Sequence, residues 1–201
     1  MSKKDIIYKN NLVTRPSEPP LPKELIVGGD DSNHTGDPKN TKGDIIVSVF
    51  SQYKEDGKVY AYPNKRDISR VDKWLSYPGR DYFFTRVLNH DCMRSNTVVQ
   101  TQMPRLIQNY ILIEDIDLNK IRCYVDGRLC GTRSDLRNKI TDSTGIEKVV
   151  VDNFIKKTKN NKGNIMKRPV CPAVVYVADT IANNLFNLSI QELIEHEKYV
   201  P

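Results

Sequence analysis

The stretch Glu24-Leu25-Ile26-Val27-Gly28-Gly29-Asp30-Asp31 decides how the rest of the chain is read. Leu25, Ile26 and Val27 form a short apolar run suited to a buried strand, and the run passes into two glycines and two aspartates that open a polar loop reaching Lys42. Open α/β folds place their sites at the carboxyl ends of such strands. Asp30 is therefore the first candidate functional residue.

Upstream, residues 1–23 contain Pro16, Pro19, Pro20 and Pro22 with little periodicity, which predicts an extended or disordered arm ahead of one domain over 24–201. Downstream, Ile45 to Ser51 reads as a second strand and Val59 to Tyr62 as a third, joined by Glu55-Asp56-Gly57-Lys58 as a hairpin. Helical spacing follows over Lys65 to Ser76, with Ile68, Val71, Trp74 and Leu75 on one face. Tyr82 to Leu88 predicts a strand, and Val98 to Leu112 a helix that contains or starts at Pro104. Lys120 to Asp126 alternates as a strand, Ser134 to Ile140 is a polar helix, and Lys148 to Ile155 is the last strand. A basic loop, Lys156 to Arg168, leads to a helix over Pro172 to Asn187 and a short tail helix near Ile190 to Lys198. The order predicts an α/β fold, a mixed sheet of five to six strands flanked by helices.

The 201 residues suffice for one domain with a full core. No apolar run approaches the roughly 20 residues of a membrane-spanning helix, and Lys3, Lys4, Asp5 and Lys9 interrupt the N-terminus where a secretory signal would be apolar. A cytoplasmic protein without a membrane partner is expected. Cys92, Cys123, Cys130 and Cys171 lack Cys-x-x-Cys spacing, which excludes zinc ribbons and thioredoxin-type motifs and fits reduced thiols. Thirty-one basic residues against 25 acidic give a net charge of +6, compatible with a nucleic-acid partner.

Asp126 ends the strand Ile121 to Asp126 much as Asp30 ends the first. If those strands are parallel neighbours, the two carboxylates meet at one edge of the sheet. Asp179 falls in Val174-Val175-Tyr176-Val177-Ala178-Asp179-Thr180-Ile181-Ala182, close to the helical angle of Val175, Ala182 and Phe186, at the border of an apolar arc. A carboxylate placed there needs a cation, a donor or a metal beside it; Lys, Arg or Asn183 would serve as well as an ion. Three such groups would supply hard oxygen ligands for Mg²⁺ or Mn²⁺, with Asp31 or Asp152 as a further ligand.

These residues carry a resemblance. A first strand ending Gly-Asp-Asp-Ser with Gly36 soon after, a β-hairpin, a later strand ending Val-Asp-Gly, and a final helix containing Ala-Asp-x-Ile-Ala resemble the ribonuclease H-like superfamily over roughly Glu24 to Asn187. The opening is similar to type 2 ribonuclease H and the closing helix to RuvC-type resolvases. The resemblance implies a ribonuclease H-like fold with Asp30, Asp126 and Asp179 as catalytic, metal-binding carboxylates. It departs at Asp31, where a Glu is usual, and at Asn33-His34, which replace the Gly-Arg used to recognise an RNA–DNA junction. The Ala-Ser-Ile-x-Ala-Lys signature of type 2 enzymes is missing. Substrate choice among RNA, DNA and hybrid therefore does not carry over.

Lys156, Lys157, Lys159, Lys162, Lys167 and Arg168 precede the Asp179 helix with no acid among them, and could hold phosphates beside the carboxylates or simply be solvated. Lys65, Arg66 and Arg70 form a second basic group, Tyr82, Phe83 and Phe84 fit either base stacking or the core, and His34 is either a proton shuttle or a loop residue. Two readings follow: a metal-dependent nuclease, and a non-catalytic nucleic-acid-binding or assembly module with the same fold. A small-substrate phosphoryl enzyme is disfavoured, since no Gly-rich phosphate loop follows a strand. Oligomeric state is left open.

Overall fold

The computed structural model describes residues 24–32, 43–62, 66–87, 95–114, 116, 120–127, 133–159 and 165–200. The arm over 1–23 and His34, Lys65, Cys92, Cys130 and Lys162 lie outside them. The chain forms β1 (Leu25–Ser32), β2 (Asp44–Ser51), a 3-10 turn (Lys54–Gly57), β3 (Val59–Ala61), α1 (Ile68–Leu75), β4 (Arg80–Val87), α2 (Ser95–Glu114), β5 (Ile121–Asp126), α3 (Arg133–Thr144), β6 (Lys148–Asp152), β7 (Ile155–Lys159), β8 (Ile165–Pro172), α4 (Ala173–Leu185) and α5 (Ile190–Glu195). No helix among the described residues is long and apolar enough to cross a membrane.

Five strands make one mixed sheet in the order β4-β2-β1-β5-β6. β1 lies at its centre, antiparallel to β2 and parallel to β5, which is in turn parallel to β6. All eight residues of β1 are buried, because both faces are covered. Leu25, Val27, Phe50, Phe83, Cys123 and Val125 pack with Met103, Leu106 and Ile107 of α2 and Leu136 and Ile140 of α3 on one face. Ile26, Ile45, Val47, Val49 and Phe84 pack with Val71 of α1, Val174, Val177 and Ile181 of α4 and Leu193 of α5 on the other. The result is three layers, helix, sheet and helix.

Tyr82, Phe83 and Phe84 are all buried, which removes base stacking from their roles. The exposed edge of β4 is covered from the C-terminal side: Phe84 N–H donates to the Lys198 carbonyl at 3.2 Å and Val200 N–H to the Phe84 carbonyl at 2.8 Å. Lys198 also ion-pairs with Asp81. These contacts shield the middle of the β4 edge.

Two local expectations are corrected. The Asp56-Gly57 pair makes no hairpin, since β1 and β4 already occupy both sides of β2 and β3 pairs instead with β8. Asp56 is drawn inward, accepting from Arg80 at 2.8 and 3.0 Å, from Ser51 Oγ at 2.5 Å and from Trp74 Nε1 at 3.2 Å, while the Arg80 guanidinium stacks among Tyr53, Trp74 and Tyr77. The segment expected as a basic loop is a β-ribbon, with Lys156, Lys157 and Lys159 on β7 and Lys167 and Arg168 on β8. Lysine content favours solvent over the core and leaves extended pairing open, so charge alone could not separate ribbon from loop. Pro169 and Pro172 are tolerated because each half of β8 pairs on one side only, residues 165–169 with β7 and 170–172 with β3.

Candidate metal centre

The parallel register runs from Leu25↔Ile121 to Gly29↔Val125, so Asp30 and Asp126 stand one step further along adjacent strands. Asp126 is in turn paired with Asp152 on β6. Strand alternation sends Gly28 and Asp30 to the face covered by α4. There Gly28 is required by contact: a Cβ on it would lie 2.4 Å from the carbonyl carbon and oxygen of Val174. A glycine inside a strand permits this approach, and it brings the first turns of α4, and Asp179 on the second, down beside Asp30.

Asp30 is buried, with Oδ1 accepting the Asp31 N–H at 2.8 Å. Burial raises its carboxyl well above the usual range, and the charges of Asp179, Asp126 and Asp31 push it further the same way. The structure thus brings Asp126 and Asp179 each within electrostatic reach of Asp30. Asp31, still within β1, falls on the opposite, α2 face; burial and then Asp44, ahead of Asp126 and Asp179, push its carboxyl up to about 7, and its buried Oδ2 has no hydrogen-bond partner among the described residues. Asp152 is half-buried, accepts the Asn153 N–H at 2.7 Å, and stands one strand further out than Asp126.

Asp179 is held by a residue the sequence had grouped with phosphate contacts. Arg66 donates Nε to Asp179 Oδ2 at 2.8 Å and Nη2 to Oδ1 at 2.9 Å, and Asn183 Nδ2 adds a bond to Oδ1 at 3.2 Å. Cys171, near the end of β8, is buried in the core cluster on the α4 face of the sheet. Burial pushes its thiol up to about 12, helped by Asp126, Asp179 and Asp30, so it stays neutral. Cys171 and Cys123 are buried free thiols. The signal for Cys171 was slight, since nothing in its spacing points to the carboxylates.

The donor set fits a divalent cation of the Mg²⁺ or Mn²⁺ type: hard oxygens only, and an excess of negative charge around a buried carboxyl that one cation would relieve. Among the described residues no three such side chains are already drawn to one point. No model of a known protein family matches the chain, and no curated protein matches it.

Proposed function

We infer that the protein is a metal-dependent nuclease of the ribonuclease H-like class, hydrolysing phosphodiester bonds of nucleic acid. One observation carries this reading: buried Asp30 lies within electrostatic reach of Asp126, one register step along the adjacent parallel strand, and of Asp179, on the helix packed over β1. The mixed sheet around β1 agrees with what the resemblance implies. Asp30, Asp126 and Asp179 would hold Mg²⁺ or Mn²⁺. When bound, such an ion activates water and stabilises the leaving oxygen of a phosphodiester. The chain's own part is to hold Asp179 of α4 beside Asp30 of β1 through the close approach of the helix at Gly28. The ribbon presents Lys156, Lys157, Lys159, Lys167 and Arg168 on strands that lead directly into α4, which suits a phosphate backbone.

A non-catalytic nucleic-acid-binding or assembly module is the second reading, favoured by the Arg66 pair that already neutralises Asp179. Asp126→Asn separates the two. For the nuclease, the variant loses saturable Mn²⁺ binding and cleavage of mixed RNA, DNA and hybrid substrates, while the metal-free protein melts no lower than wild type because a repulsive charge is gone. A variant destabilised by about 0.5–2 kcal/mol that still cleaves would identify Asp126 as structural and leave the module.

A further inference from the structure

Arg66 lies just ahead of α1, whose entry is fixed by Asp67: its Oδ1 accepts from Ser69 Oγ at 2.7 Å and from the Arg70 N–H at 3.4 Å. From that anchored position the guanidinium reaches across to α4 and closes a two-point fork on Asp179. Its positive charge is felt by Asp30 as well. The Arg66 side chain is 46% exposed and that of Asp179 30%, so the pair lies at the solvent boundary. Asn183 stays on Asp179 Oδ1 and on the Asp179 carbonyl at 2.7 Å, which would keep the carboxylate aimed even if Arg66 left.

A divalent ion that approaches Asp179 from the side on which the fork engages both oxygens competes with Arg66 for the same lone pairs. Both cannot hold the carboxylate fully, and a doubly charged ion shared with Asp30 and Asp126 has the stronger claim. We propose that Arg66 is a displaceable stand-in for the metal: it holds Asp179 while the centre is empty, is driven off by the incoming cation, and then binds the phosphate of the nucleic-acid substrate with the same fork. A planar guanidinium matches carboxylate and phosphate alike in two-point geometry. The inference rests on the nuclease reading, and it makes Arg66 a substrate-binding residue that also sets the metal affinity.

The test uses the full chain as wild type, Arg66→Gln and Arg66→Lys, with Asp126→Asn as the control that lacks a ligand. Mn²⁺ alone is titrated by calorimetry and by electron paramagnetic resonance of the free ion. A fluorescent oligonucleotide is then titrated in Ca²⁺ to measure binding. Arg66→Gln should bind Mn²⁺ about tenfold more tightly than wild type and the oligonucleotide severalfold more weakly, with Arg66→Lys between the two. Equal Mn²⁺ affinity in wild type and Arg66→Gln, or weaker binding in the variant, overturns the stand-in role and leaves the metal centre intact. Unchanged oligonucleotide affinity overturns the phosphate role. Absence of saturable Mn²⁺ binding from all four proteins overturns the nuclease reading itself, and the inference falls with it.

Discussion

Asp30 and His196 both sit where water is scarce, and the same desolvation acts in opposite directions on a carboxyl and an imidazole. At Asp30 it adds to the repulsion of three neighbouring acids, so the group calls for an external positive charge. At His196, packed edge-on to Tyr82 and Phe84, burial lowers the imidazole below its ordinary 6.5, with Glu197 partly opposing. The Tyr82 hydroxyl is 3.4 Å from the ring nitrogens, and the nearby Lys198 is paired with Asp81. Below pH 6.5 the unfolded chain takes up this proton before the folded one does. The His196 contribution to stability is therefore present above pH 6.5 and is lost as pH falls through that value toward the folded one. Urea denaturation at pH 7.5 and 5.5 should show wild type losing more stability than His196→Gln across the interval. Parallel losses would mean that other groups govern the acid limb.

The joint between β1 and α4 is the element-level feature on which the candidate centre depends. Ala in place of Gly28 would drive a Cβ into the Val174 backbone, which cannot rotate away as a side chain would. Gly28→Ala should cost about 2–3 kcal/mol in urea denaturation, and the displaced helix should weaken Mn²⁺ binding by moving Asp179. A variant of wild-type stability would show that α4 has room to shift. Much of this joint was legible in the sequence: the apolar run into Gly28-Gly29-Asp30, the alternation ending at Asp126, and the border position of Asp179 are local patterns that the packing kept. The partners of β3, the β7–β8 pairing and the Arg66 fork depend on which distant segments meet, and no local period encodes that. Asp56-Gly57 shows the limit, a turn dipeptide whose aspartate is taken by Arg80 from β4.

Across the whole molecule, the +6 net charge says little until its distribution is known, and the β7–β8 ribbon gives it a place. Register sets Lys156 opposite Arg168 and Lys157 opposite Lys167 along the ribbon backbone. Binding to nucleic acid should weaken steeply with salt, and replacing Lys156, Lys157 and Lys159 together by Ala should reduce the slope of log affinity against log salt by roughly 2–3. An unchanged slope would assign the ribbon to solvent alone. The position of β1 also bears on how the protein is made. Its parallel neighbour β5 and its covering helix α4 come from far later in the chain, so a ribosome releases the central strand well before anything that pairs with it on that side or shields Asp30. Such long-range closure is slow. The nascent polypeptide must therefore carry Ile26 without its α4 cover until that helix emerges, a window in which chaperones and proteases meet this face of the strand before its own fold does.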